Sequence, residues 1–114
     1  MTIPTRTMPA ACFHVLHSLA NSPRHGLGIM DEVEQRTGGA VLLGPGSLYG
    51  SLKRLVAEKL IQESERRPRD EDDTRRRYYE ITPAGDAALR QELRLLASIV
   101  DAARDNDLIP GVSS

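Results

Sequence analysis

The residues best suited to chemistry in this chain are cations set beside residues with almost no side chain. In "GPGSLYGSLKRL", residues 44 to 55, Gly46, Ser47 and Gly50 precede Lys53 and Arg54, and further on Arg75, Arg76 and Arg77 stand in a row. Lysine and arginine in such clusters neutralise phosphate oxygens, and arginine holds them in a bidentate fork. Glycine and serine before them let backbone amides approach a charged surface closely. The pattern therefore points to a polyanion, with Gly46 to Gly50 near bases and Lys53, Arg54 and the arginine row on phosphates.

The whole-chain charge conceals this. The 114 residues carry 15 basic and 16 acidic side chains, a net charge of -1. The basic excess lies in the middle third, and the last third is acidic. A second group, Cys12, His14 and His17 with His25 further on, has ligand types that suit zinc or softer ions. This is the basis of an alternative reading as a metal-responsive protein. Against it, no second cysteine or acidic cluster lies near, and Cys12 beside Phe13 fits a core or interface position, so no metal or other cofactor is expected.

No glycine-rich phosphate loop, nucleophile elbow or catalytic His–carboxylate spacing is found, so the chain is not read as an enzyme. The single cysteine excludes an internal disulfide. The N-terminus shows no signal-peptide pattern, and no apolar run approaches the roughly 20 residues that cross a bilayer. A cytoplasmic protein without membrane contact is expected.

Helical periodicity and turn residues define the elements that position these groups. Residues 1 to 8 read as a flexible arm. A first helix carries Phe13, Leu16, Leu19 and Ala20 as a buried stripe and stops at "NSPRHG". A second short helix, from about Leu27 to Thr37, ends at Gly38 and Gly39. The third has Gly44 as N-cap and Pro45 as first residue, with Leu48, Leu52, Leu55 and Val56 inward. Stepping 100° per residue puts Gly46, Gly50, Lys53 and Arg54 on the outer face, Ser47 at its margin and Tyr49 at the stripe's boundary. Ser51 is counted with the small outward residues.

Leu60 to Glu65 and residues 76 to 81 read as two strands of a hairpin, joined by a charged loop tipped with Asp70, Glu71, Asp72 and Asp73. Alternation would turn Arg75 and Arg77 to one face and Arg76 to the other. Thr82 and Pro83 then open a long helix to about Arg104, in which Leu89, Leu93, Leu96, Val100 and Ala103 form a heptad seam that one small core cannot cover. Residues 105 to 114 read as a flexible tail. The fold class is mainly α with a small β-hairpin, an α+β arrangement: a winged helix-turn-helix over residues 9 to 81 and a dimerisation helix over 82 to 104. A winged helix used for protein contact is the other alternative.

"HGLGIMDEVEQRTGG", "GPGSLYGSLKRLVAEKLI" and "RRRYYEITPAGDAAL", in that order and spacing, resemble the PadR family of bacterial transcriptional regulators over about residues 9 to 96. The resemblance implies a homodimeric repressor on a pseudo-palindromic operator. It also implies a final helix packed on the partner's first helix, which would place Phe13, Leu16, Leu89, Leu93, Leu96 and Val100 at the dimer interface. The short tail is similar to the small subfamily. Effectors in the family include phenolic acids and hydrophobic drugs. The chain has no tryptophan for an aromatic sandwich, leaving an aliphatic pocket near Phe13 and Leu93 for a hydrophobic small molecule. Leu27, Gly28 and Gly44 depart from the family pattern, which often has an aromatic, a polar residue and a hydroxyl cap there.

Overall fold

The computed structural model describes residues 8–65 and 76–110. Four helices and three short strands follow in the order α1 (Ala10–Ser18), β1 (Arg24–His25), α2 (Gly26–Arg36), α3 (Pro45–Ala57), β2 (Ile61–Ser64), β3 (Tyr78–Ile81) and α4 (Pro83–Asp105). Helix α1 is the central element and packs against α2, α3 and α4. Its Val15 and Leu16 are fully buried with Ile29 and Val33 of α2, Leu48 and Leu55 of α3, and Ile61 of β2. The apolar stripes read from helical spacing thus converge on one core.

The sheet has three strands where the sequence suggested two. Its order is β1-β3-β2, antiparallel throughout, with Arg24 opposite Tyr79, His25 opposite Tyr78, and Ile61 opposite Ile81. A two-residue strand has no alternation to detect, and "NSPRHG" carries turn formers on both sides. Strand β3 begins at Tyr78, so Arg76 and Arg77 precede it. Arg75, residues 1 to 7 of the arm, the tip of the hairpin and residues 111 to 114 lie outside the described residues; Met8, read as the end of the arm, is instead buried in the core.

The helix ends obey local rules. Helices α2, α3 and α4 each finish with a left-handed residue after the last turn: Gly38, Lys59 and Asp107, at φ near 60°. In each, the next amide reaches back to close the turn: Gly39 to the Glu34 carbonyl, Leu60 to Leu55 and Leu108 to Ala103, all at 2.9 Å. This is the Schellman arrangement, which satisfies carbonyls the helix leaves open. The expected tail from residue 105 therefore starts inside the capped end of α4.

Two residues of α3 differ from the sequence reading. Val56 is 43% exposed and Ser51 only 7%. Serine is small enough to lie under the helix where it meets the core, and a valine at the last turn clears the neighbouring elements.

One junction joins α3, the sheet and α4. Thr82 caps α4: its hydroxyl accepts the Gly85 amide at 3.0 Å and donates to the Lys59 carbonyl at 2.8 Å. Its own amide donates to the Leu60 carbonyl at 3.1 Å. Gly85 is buried against that same carbonyl, and a Cβ there would collide with the Leu60 oxygen and crowd Ile81. Because the obstacle is backbone, rotamer changes cannot relieve it. Gly85→Ala is expected to destabilise the fold by about 1–3 kcal/mol or more, as overpacking does. Thermal unfolding measures this; a variant melting at the parent temperature would show that the junction yields.

Candidate nucleic-acid interface

The outer face of α3 is bare in space as well as in sequence. Its N-cap, Gly44, makes no side-chain capping bond. At Gly44, Gly46 and Gly50 a Cβ would meet nothing within 4 Å. No internal packing thus demands glycine at these positions, although glycine inside a helix costs about 0.5–1 kcal/mol against alanine. The packing of the chain itself therefore gives no reason for glycine on this face.

The groups around this bare face are those the sequence singled out, with refinements. Ser47 and Lys53 are exposed, and Tyr49 is 60% exposed. The Tyr49 hydroxyl lies over Gly26, where a side chain would have to fit against it at 3.3 Å. Arg54 is exposed but paired along the helix, its Nε 3.0 Å from a Glu58 carboxylate oxygen. An exposed pair of this kind contributes about 0–1 kcal/mol and exchanges readily for another anion.

Two open grooves flank Tyr49. One, of about 560 Å³, runs between α3 and the sheet and is bordered by Lys53, Val56, Lys59, Arg77 and Tyr79. The other, of about 430 Å³, lies where α2 begins and is bordered by His25, Leu27, Arg76, Arg77 and Tyr79. Arg77 and Tyr79 stand on the ridge between them, opposite Tyr49. Cations from α3 and from the residues just before β3 therefore face one surface, and the half-exposed Val56 borders it. Val56 and Lys59 were not singled out from the sequence for this surface; the first was assigned to the core, and the second lacks a motif of its own.

The other singled-out residues separate from this surface. Cys12 is buried, and the Phe13 ring packs edge-on against both His14 and His17, with centroids 5.1 and 5.7 Å away. Burial lowers the pKa of His17, Arg36 nearby lowers it further, and Glu32 opposes them. His25 lies at the sheet edge instead. Among the described residues, no three of His, Cys, Asp and Glu gather as a metal would require. Of the apolar residues assigned to a dimer seam, Phe13, Leu16 and Leu89 are buried within the chain and Leu96 packs against its core. Leu93, Ile99 and Val100 remain exposed along α4 at 38, 51 and 43%. No helix among the described residues is long and apolar enough to cross a membrane.

The fold and this face define a winged helix-turn-helix in which α3, with Arg76 and Arg77 before β3, offers a cationic surface. Residues 15–91 match the transcriptional regulator PadR-like family, and the chain belongs to that family. It is 42% identical over 85 residues to a 37.1 kDa protein of transposon TN4556 from Streptomyces fradiae, covering 75% of this chain but only 22% of that protein. It is 34% identical over 90 residues to the transcriptional regulator Rv3488 of Mycobacterium tuberculosis, covering 79% of this chain and 78% of its relative. The structure of Bacillus subtilis PadR in complex with operator DNA superposes with a TM-score of 0.61 at 19% identity, over 75% of this chain and 47% of that one.

If Gly50 is glycine for clearance, filling it has opposite effects on the two properties. Gly50→Ala is expected to stabilise the free protein by about 0.5–1 kcal/mol while weakening its binding to DNA. Thermal melting and gel shift read the pair, and a variant that binds as tightly as the parent removes the clearance argument.

Proposed function

We propose that this chain is a transcriptional repressor that binds a pseudo-palindromic operator as a homodimer. The carrying observation is the unobstructed face of α3 at Gly46 and Gly50, with Tyr49, Lys53 and Arg54 beside it. A recognition helix enters the major groove with its N-terminal part toward base edges. Here that part presents Gly46, Ser47 and Tyr49 to bases, and Lys53 and Arg54 one turn later reach phosphates. Arg75, Arg76 and Arg77, where the wing rejoins the sheet, contact the backbone beyond the groove. This division makes affinity salt-dependent through the cations and sequence-dependent through the helix.

The family membership and a structural neighbour solved on operator DNA support the same reading. The exposed stripe of Leu93, Ile99 and Val100, with Leu96 beside it, is the surface for the second protomer. Two recognition helices linked in this way meet half-sites about one helical turn, roughly 34 Å, apart. An effector that relieves repression is then a hydrophobic molecule held at this seam, near Phe13 and Leu93, where it can alter the spacing of the two helices.

Selecting bound sequences from random DNA tests the function, and a palindromic winner is the expected outcome. Lys53→Ala with Arg54→Ala should weaken binding to that winner while leaving the dimer intact. If no DNA is retained at low salt, where phosphate contacts are strongest, the winged helix serves protein contact instead. Leu93→Glu with Val100→Glu should give monomers by light scattering that lose the operator, and a variant that remains dimeric refutes the seam.

A further inference from the structure

Lys59 stands where a lysine is conformationally out of place. It follows α3 at φ 62°, in the left-handed region, where a Cβ crowds the next carbonyl and only glycine goes freely. The same position after α2 and α4 is held by Gly38 and Asp107; glycine and aspartate are common there, and lysine is not. Its backbone is committed to the junction, the amide donating to the Val56 carbonyl at 3.0 Å and the carbonyl accepting the Thr82 hydroxyl at 2.8 Å. Glycine would make both bonds equally well. What lysine adds is its side chain, which is exposed and enters no ion pair among the described residues.

That side chain borders the groove of about 560 Å³ between α3 and the sheet, together with Lys53 from α3 and Arg77 from the residue before β3. Lys53 and Arg77 are likewise exposed and unpaired among the described residues. Against these three cations, the described lining sets one carboxylate, Glu63. Gln62 also borders the groove but gives its amide to Glu80 at 2.8 Å. A cleft lined chiefly by one sign of charge gathers counter-ions. Val56, 43% exposed, adds an apolar patch to the same groove.

We propose that Lys59 is a phosphate contact, and that with Lys53 and Arg77 it holds one stretch of DNA backbone in the groove between α3 and the sheet. The proposal rests on the DNA-binding reading and adds to it a residue beyond the end of α3. A backbone phosphate is favoured over a free anion because the groove is open and shares Tyr49, Arg77 and Tyr79 with its neighbour. A continuous strand can therefore pass along this face, with a deoxyribose against Val56. The unfavourable conformation at Lys59 is then the cost of placing a cation at this turn. The competing account is that the lysine complements the negative end of the α3 dipole.

The test uses the full chain, its selected operator and an unrelated duplex. Lys59→Gly should melt no lower than the parent, because glycine adopts φ 62° freely. It should nevertheless bind the operator about tenfold more weakly, with a salt slope smaller by about one per protomer. Lys59→Met, which keeps the Cβ and the stem, should lose as much affinity, and Lys59→Arg should retain it. Because phosphate contacts carry no sequence information, the loss should be equal on the unrelated duplex. Parent affinity or an unchanged salt slope in Lys59→Gly overturns the proposal, and a lowered melting temperature with it assigns the lysine to the helix dipole. A loss confined to the operator overturns the phosphate assignment. Lys53→Ala with Arg54→Ala still reports on DNA binding itself, so the two failures are distinct. A parent melting temperature that rises with inorganic phosphate, with no rise in Lys59→Met and operator affinity indifferent to Lys59, assigns the groove to a free anion and overturns the backbone assignment.

Discussion

The arrangement of this molecule depends on the backbone carbonyl of Leu60. It accepts the Thr82 amide and at the same time leaves no room for a side chain at Gly85. Both constraints act at the place where α3 has just ended, β2 is about to begin and α4 starts. Lys59 makes that convergence possible by taking a left-handed conformation, at φ 62°, that ends α3 in a tight turn. For a residue with a Cβ such a conformation costs on the order of 1 kcal/mol, and the bonds from Leu60 to Leu55 and from Thr82 to Lys59 offset it. The consequence extends well beyond the junction. In the proposed dimer, the direction of α4 relative to α3 sets where the partner's α3 stands relative to the first.

Much of this was legible in the sequence because it is local. Thr82 with Pro83, Gly44 with Pro45, and Gly38 after a polar turn are start and stop signals whose physics lies within a few residues. The helical stripes were legible for the same reason, since period alone places Leu48, Leu52 and Leu55 on one face. The failures are instructive in the opposite sense. Val56 and Ser51 were misplaced because a wheel assigns faces by angle and polarity, whereas burial depends on what passes beside each position. Strand β1 was missed because Arg24 and His25 become a strand only when Tyr78 and Tyr79 arrive from over 50 positions away. The tight approach at Gly85 was likewise hidden, being a contact between segments 25 positions apart.

The candidate interface shows the same division. Its cations were found by type and spacing, and its bare helix face by the absence of side chains. The structural place of His25 as the N-cap of α2 was not, because the sequence offered it only as an ion ligand alongside Cys12 and the other histidines. Its position at the edge of the sheet, with one nitrogen taken by its own helix, separates it from His14 and His17, which flank Phe13 on α1.

A chain with net charge -1 has no long-range attraction for nucleic acid, so any affinity must come from local arrangement. Here the cations lie at the grooves beside Tyr49, and the acidic excess falls on residues 80 to 114, mostly along α4. Screening acts within about 8–10 Å at physiological salt, so carboxylates farther away than that do little to cancel Lys53 or Arg77 at contact. They do reduce attraction to anionic surfaces that lack the right shape. The pairing of Arg54 with Glu58 acts in the same direction: it neutralises the arginine in free protein and gives way only to an anion brought within bonding distance. Affinity is thereby conditional on fit more than on raw charge.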